Sequence, residues 1–410
     1  MTDDTPAPGA RSEGQAFLVG PNLYVRAVEL EDAATAPIWR RQPFPAPAEV
    51  VEEKLKERLE VDDGDEEMKN QLLIACRRDN DQPVGSVELE MNGWRFGDLS
   101  FSIDRLSTEA RQREIVAELI GMFVPWLLSE RNLMTLGVWD YPDRSEVERQ
   151  VASLGGRIAS HFREMVLVDG RRRDRVFYQF FNPVWLAKLG MPAEPEMGAV
   201  KREVRSPARA SLRVSGSDRP EGAMVIGEQV YLRAFKPDEG KLVANWAMQD
   251  PEVYYPEGRL IFNPHTYGHV HKAMAEKELP TAIRFAIVLR ETDELIGANG
   301  ITSISWVHRC AETETEIYRA EHRGAGYGTE AKHLLLEYAF ERLGMHIIFS
   351  FVGETNPRSA AALRKQGYRD AGYIGWDSFA PGGLCGYWAF DLLASEWRAA
   401  RDAAADKAEG

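Results

Sequence analysis

The sequence predicts an α+β (mixed α/β) chain built as two similar domains in tandem. Three observations carry that reading. The chain has 410 residues, too long for one ordinary domain. Short alternating apolar runs that read as strands are interleaved with longer amphipathic runs that read as helices. The order then repeats. Asn22-Leu23-Tyr24-Val25-Arg26-Ala27 returns as Gln229-Val230-Tyr231-Leu232-Arg233-Ala234, and Trp39 and Trp246 each follow the arginine by thirteen residues. Gly85 and Gly297, Glu130-Arg131 and Glu341-Arg342, Gly155-Gly156 and Gln366-Gly367, and Phe181 to Trp185 and Phe390 to Trp397 keep the same order. Their offset is about 207 to 212 residues.

The first half begins with a Pro- and Gly-rich acidic tail. A strand follows over Asn22–Ala27, then helices over Glu31–Arg41 and Glu49–Leu59. Gln71–Cys76 and Val84–Glu90 form a hairpin, and Asp98–Asp104 is a further strand. A helix over Ile115–Glu130, a strand over Leu133–Trp139 and a helix over Ser145–Leu154 come next. Ile158–Val168 and Asp174–Phe181 pair around the turn Asp169-Gly170. Pro192, Pro195, Pro207 and Pro220 mark a linker before the pattern restarts. The expected layout is a disordered tail over 1–18, a domain over 19–189, a linker over 190–222, a second domain over 223–400 and a tail over 401–410.

Composition limits the function. With 44% hydrophobic and 28% charged residues the chain reads as soluble and globular. A net charge of −14 argues against general nucleic-acid or anionic-membrane binding, which needs a basic surface. Cys76, Cys310 and Cys385 are odd in number and hold no C-x-x-C pair, which reads as reduced thiols in a cytoplasmic protein. Met1–Gly14 lacks the basic and apolar regions of a signal peptide. No run of about 18 apolar residues offers a transmembrane helix.

The second half holds the most informative stretch, Arg323-Gly324-Ala325-Gly326-Tyr327-Gly328-Thr329, between the strand Glu312–Tyr318 and the helix Thr329–Leu343. Glycines between a strand and a helix let a ligand approach the backbone closely. The helix that follows offers free N–H groups and its positive pole, an arrangement suited to a pyrophosphate. The run ends without the lysine of a P-loop, and it is not placed as a dinucleotide fingerprint would be.

The pattern Arg323-x-x-Gly326-x-Gly328 resembles the acyl-CoA pyrophosphate motif of the GNAT N-acyltransferase superfamily. Asn356-Pro357-Arg358-Ser359 followed by Arg364-Lys365-Gln366-Gly367-Tyr368 is similar to the branch that acetylates ribosomal-protein N-termini and many small molecules. The resemblance covers Val230 to Arg398. It implies two tandem folds of that kind, each a mixed, mostly antiparallel twisted sheet flanked by helices. In the first half Gln112-Arg113-Glu114-Ile115-Val116-Ala117 falls at the loop position. Gln112 matches the first motif residue, but no glycine is present and Glu114 would repel a pyrophosphate. The first domain is therefore expected to be a degenerate copy that shapes the acceptor pocket.

The resemblance implies acyl transfer from acetyl-CoA, or another acyl-CoA, to a small-molecule amine or a peptide N-terminus, without a metal. The cofactor is expected on Arg323, Gly324, Ala325, Gly326, Tyr327, Gly328 and Thr329, with pantetheine paired along Glu316, Ile317, Tyr318 and Arg319. Asn356 either ties the neighbouring strands to the cofactor or caps its helix. Glu312, Glu314 and Glu316 alternate and so share one strand face. They form an anionic patch for an ammonium, or simply a solvated face. Mutual repulsion there can raise one pKa, and Glu316, nearest the loop, is the first choice of base. Ser359 matches a hydroxyl that serves as the acid in the similar branch, or it makes a local cap. Tyr254, Tyr255, Glu312 and Glu314 are the acceptor-binding candidates. The spacing of His265, His269 and His271 lacks a suitable acidic or thiol partner for a metal. The alternative is a non-catalytic module that senses acyl-CoA or an amine. A tandem pair can replace a dimer, so a monomer is compatible with the chain.

Overall fold

The computed structural model describes residues 16–41, 44–60, 70–92, 95–142, 145–192, 195, 211–250, 263, 269–270, 272–274, 276–277, 279–380 and 383–409. Tyr254 and Tyr255, with His265, Tyr267 and His271, lie outside the described residues. The chain divides into two compact units, Met1–Ala159 with Val176–Glu196, and Ser160–Arg175 with Met197–Gly410. The segment 160–175, given to the first domain on sequence, is counted with the second unit.

In the first unit the strands are β1 (Leu18–Val19), β2 (Leu23–Ala27), β3 (Asn70–Arg77), β4 (Pro83–Met91), β5 (Phe96–Ile103), β6 (Thr135–Asp140), β7 (Arg157–Val168) and β8 (Arg171–Phe181). Most of β7, from Ser160 on, and the first part of β8, up to Arg175, fall in the second unit. Strands β1 to β6 lie side by side in chain order, and β8 follows β6. Neighbours are antiparallel except β5 and β6, which run parallel. Helices α1 (Ala36–Trp39), α2 (Ala48–Leu59), α3 (Glu109–Ser129), α4 (Ser145–Ser153) and α5 (Pro183–Leu189) accompany them. Alternation in β2 explains both faces. Leu23 and Val25 pack with Leu119, Phe123 and Val147 of α3 and α4. Tyr24 packs with Trp39, Val51 and Leu55 of α1 and α2.

Two expectations need correction here. The helix expected over Glu31–Arg41 is a 3₁₀ turn, Leu30–Thr35, followed by the short α1. Pro37 lacks the N–H that a continuous helix would bond back to Ala33. The helix expected from Ile115 starts at Glu109, so Gln112 to Ala117 are helical and form no loop. Thr108 caps that start, its hydroxyl accepting from the Arg111 N–H at 3.3 Å, and Arg111 pairs with Glu114 at 3.0 Å.

The second unit carries β9 (Ala223–Ile226), β10 (Val230–Arg233), β11 (Ile283–Leu289), β12 (Leu295–Ser305), β13 (Cys310–Ile317), β14 (Ile347–Gly353), β15 (Arg369–Ala380) and β16 (Gly383–Leu393). Strands β9 to β14 follow one another, then β16 and β15. Again one neighbouring pair, β13 and β14, is parallel. The helices are α6 (Glu239–Gln249), α7 (Tyr327–Glu337), α8 (Pro357–Lys365) and α9 (Ala394–Glu409). On one face Leu335 of α7, Leu363 of α8 and Trp397 of α9 pack with Leu232, Ile287 and Ile348. On the other, Val243 of α6 packs with Tyr231, Ala286 and Tyr318. Leu335 is fully buried, which contributes roughly 2 kcal/mol. Each unit is thus a mixed, mostly antiparallel sheet flanked by helices.

Candidate functional site

Between β13 and α7 lie a 3₁₀ turn, Ala320–His322, and the glycine run. Gly324 (φ 84°) and Gly326 (φ 90°) adopt left-handed backbone, which a side chain disfavours. Gly326 is the N-cap of α7, and no side chain among the described residues caps that end. The N–H groups of Tyr327, Gly328 and Thr329 therefore have no intrahelical acceptor and stand at the positive pole of the helix. A Cβ added at Gly324 or Gly326 would meet nothing within 4 Å. The backbone here fits an anion such as a pyrophosphate.

The Arg323 guanidinium serves the loop itself. It donates to the carbonyls of Ile317 and Tyr318, each at 3.0 Å, and pairs with Asp250. Both side chains are largely buried, at 12% and 10% exposure. Arg323 thus fastens the loop to the end of β13. Two carbonyls of the stretch expected to pair with pantetheine, those of Ile317 and Tyr318, already accept from it.

Strand β13 pairs with β12 as far as Ile317. With β14 it pairs only at Cys310↔Ile347, Ala311↔Ile348 and Glu312↔Phe349. Beyond that the strands part, and among the described residues Thr313 to Ile317 have no strand partner on the β14 side. Where they part, the Thr313 hydroxyl bonds the hydroxyls of Ser350 (3.2 Å) and Tyr368 (3.0 Å). Tyr368 is buried there as a core residue. The glycine loop follows the free end of β13.

Glu312, Glu314 and Glu316 share one face of β13, as the alternation requires, but their situations differ. Arg284 of β11, Gly300 of β12 and Glu314 stand in one row across the sheet. A Cβ at Gly300 would come within 2.4 Å of the Glu314 carboxylate. The bare glycine lets Glu314 lie across β12 and pair with Arg284 at 2.8 Å. Burial holds the carboxyls of Glu312 and Glu316 above the usual range, with Glu314 adding to each effect. The first cause is thus burial, where the sequence suggested repulsion. Against it, the Phe351 N–H donates to Glu312 at 3.3 Å. Lys332 of α7 is also buried, and burial pushes its ammonium down to about 7 against the opposing charges of Glu314 and Glu312.

Across the gap, Asn356 precedes α8 and its carbonyl oxygen accepts from the Ser359 N–H at 3.1 Å. Asn356 is therefore seen as a helix cap, and Ser359 takes part through its backbone. The structure brings Glu316, the glycine loop and the start of α8 to the two strands that bound the gap. Asp250, Arg284 and Lys332 were not singled out as site residues on sequence. The row that holds Arg284 could have been found by counting register along two hairpins from Gly300. Nothing local marks Asp250 or Lys332.

Residues 229–369 match the family described as acetyltransferase (GNAT) domain. An uncharacterized N-acetyltransferase, p20, of Bacillus licheniformis is 32% identical over 116 residues, 28% of this chain and 65% of that protein. An uncharacterized N-acetyltransferase, YoaA, of Bacillus subtilis is 35% identical over 92 residues, 22% of this chain and 51% of that one. The chain thus spans less than two thirds of the length of these two relatives. The spermidine N(1)-acetyltransferase of Vibrio cholerae is 23% identical over 166 residues, 38% of this chain and 88% of that enzyme. Among solved structures, the Vibrio cholerae spermidine N-acetyltransferase in complex with CoA and spermine aligns with a TM-score of 0.37 at 21% identity. It covers 42% of this chain and 99% of that one. The stretch that matches the acetyltransferase (GNAT) domain family lies within the second unit.

Proposed function

We propose that the second unit is an acyl-CoA-dependent N-acetyltransferase that moves an acetyl or short acyl group to a primary amine. The observation that carries this reading is the open glycine loop at the end of β13, beside the parting of β13 from β14. Gly324 to Thr329 would hold the pyrophosphate on backbone N–H groups, and the unpaired edge of β13 suits the pantetheine amides. The bound thioester supplies an activated acyl carbon. Glu316 accepts a proton from the acceptor ammonium, and the free amine then attacks. As the new C–N bond forms and the C–S bond breaks, the Ser359 hydroxyl donates a proton to the leaving sulfur and regains one from the nitrogen of the new amide. Glu312 attracts the cation, while Glu314 is neutralised by Arg284. A cationic small molecule or a peptide N-terminus suits that face, and one relative is named for spermidine. The first unit has the same strand order with no glycine loop, so we read it as a degenerate copy that binds no acyl-CoA.

The test is Glu316→Gln. Glu316 must be ionised to take a proton, and burial holds it above the usual range. The rate should therefore rise with pH through a limb above ordinary carboxylate values. In Glu316→Gln, kcat should fall roughly 10²–10⁴-fold and that limb should vanish, with acetyl-CoA affinity by calorimetry unchanged. Unchanged kcat, or no acetyl-CoA binding by the wild type, would sink the reading.

A further inference from the structure

Three phenylalanines meet edge to face in the second unit. Phe162 lies 6.0 Å from Phe349 and 5.7 Å from Phe351, ring centre to ring centre, and Phe349 lies 5.9 Å from Phe351. The interplanar angles are 70°, 74° and 69°, the arrangement in which ring edges meet ring faces. Phe162 is fully buried. Phe349 and Phe351 are two apart on β14 and share one face. That face is also the one of Glu312. Phe349 is the register partner of Glu312, and the Phe351 N–H donates to the Glu312 carboxylate. The aromatic cluster thus stands directly beside this carboxylate.

The segment that carries Phe162 is firmly held. Arg163 pairs with Asp391 and Glu396, each at 2.8 Å. Glu164 pairs with His346 at 2.7 Å, and the Leu167 N–H donates to His308 at 3.2 Å. Arg369 donates to the His161 carbonyl at 2.6 Å. Of the charged groups near Glu312, Glu314 lies on β13 and Lys332 on α7. Asp391 of β16, opposite Phe349, is taken by Arg163 and Arg369. On the segment itself His161 pairs with Asp174 at 2.6 Å, while Arg172, which donates to the His308 carbonyl, and Arg175 lie near Cys310 at the start of β13. What the segment presents towards Phe349 and Phe351 is a hydrocarbon ring.

We propose that Phe162 is a positioning residue of the acceptor face: through Phe349 and Phe351 it keeps water from Glu312. Residues 160–175 are then part of the site, although they lie outside the stretch 229–369 that matches the family. The inference deepens the acetyltransferase reading and rests on it only for the role of Glu312 in holding an acceptor.

The experiment is a carboxyl-carbon NMR titration of Glu312 in the full chain, in wild type, Phe162→Ala and Phe162→Leu. Removing the ring admits water, which favours the charged carboxylate. The Glu312 midpoint should fall by about one pH unit in Phe162→Ala and by less in Phe162→Leu, which keeps most of the apolar volume. The KM for an amine acceptor should change its pH dependence in parallel, while the KM for acetyl-CoA should not. An unmoved Glu312 titration in folded Phe162→Leu and Phe162→Ala overturns the proposal. If Phe162→Ala does not fold, the leucine variant decides alone. If Glu312 moves as expected but no amine is acetylated, the assignment of Phe162 stands and the acetyltransferase reading falls.

Discussion

In the first unit β5 and β6 stay paired from Phe96↔Thr135 to Ser100↔Trp139, while in the second β13 and β14 stop pairing after Glu312↔Phe349. Strands β5 and β13 are the same length, so the parallel pairing runs two residues further in the first unit before the strands part. The same contrast continues into the next helix. Glu118 of α3 and Glu330 of α7 each bind the start of a first strand, through the N–H groups of Asn22 and Gln229. Measured from that shared point, α3 starts well earlier, and its extra turns replace the glycine run. Gln112 on those turns donates to the carbonyls of Asp104 and Ser107, as Arg323 does to those of Ile317 and Tyr318. The same strand order thus occurs with a glycine run in one unit and with helix in the other. The difference lies in glycine content, because only a residue without a Cβ takes the φ values of Gly324 and Gly326 at little cost.

The likeness of the frameworks can be broken at its strongest point. Arg26 binds Asp32 at 2.6 Å, and Arg233 binds Glu239 at 2.5 Å. Each arginine also donates to the next residue's carbonyl at 2.9 Å, and each carboxylate accepts a backbone N–H, from Glu29 or from Lys236. All four side chains are nearly buried, so removing one partner strands a charge. Asp32→Ala and Glu239→Ala should each lose about 3–5 kcal/mol by urea denaturation. Burial pushes the Glu239 carboxyl up, but Arg233 and the Lys236 N–H outweigh it and leave it below the usual range. Its stabilisation should therefore be complete at neutral pH and be lost as pH falls through the depressed value. A large loss in one variant with none in the other would separate the two frameworks.

This clamp also shows what could be read without the structure. Arg26 and Arg233 stand out because the strand around them repeats, but their partners are an aspartate and a glutamate, which the repeat alone does not match. The glycine run was legible because three glycines between a strand and a helix have few other uses. The gap between β13 and β14 was not, because parallel register is set by contacts far apart in sequence. Phe162 was invisible for the same reason: the rings it meets are remote along the chain. The helical state of Gln112 to Glu114 was not legible from the apolar pattern, which begins at Ile115; the signal for the earlier start is the cap at Thr108.

The glycine loop gives the next largest effect. Gly326→Val forces a β-branched residue into left-handed backbone and puts methyl groups at the helix start. Acetyl-CoA affinity should fall about 100-fold by calorimetry, with one molecule bound per wild-type chain. Two per chain, or measurable residual binding of wild-type strength in the variant, would mean that the first unit also holds the ligand and that the contrast is misread.

The smallest effect concerns two helix caps. The Thr108 hydroxyl caps α3 and the Asn356 side chain caps α8, each accepting an N–H three residues on. Thr108→Ala and Asn356→Ala should each cost about 1 kcal/mol, and Asn356→Ser should restore most of it. Thr108 lies in the unit without a glycine loop and serves as the control, so its loss should leave acetyl-CoA affinity untouched. If Asn356 is only a cap, its alanine variant should behave likewise once folded, within about threefold in affinity. A larger loss shared by Asn356→Ala and the stably capped Asn356→Ser would show that the side-chain amide also reaches the cofactor. The second unit would then differ from the first at α8 as well as at the loop.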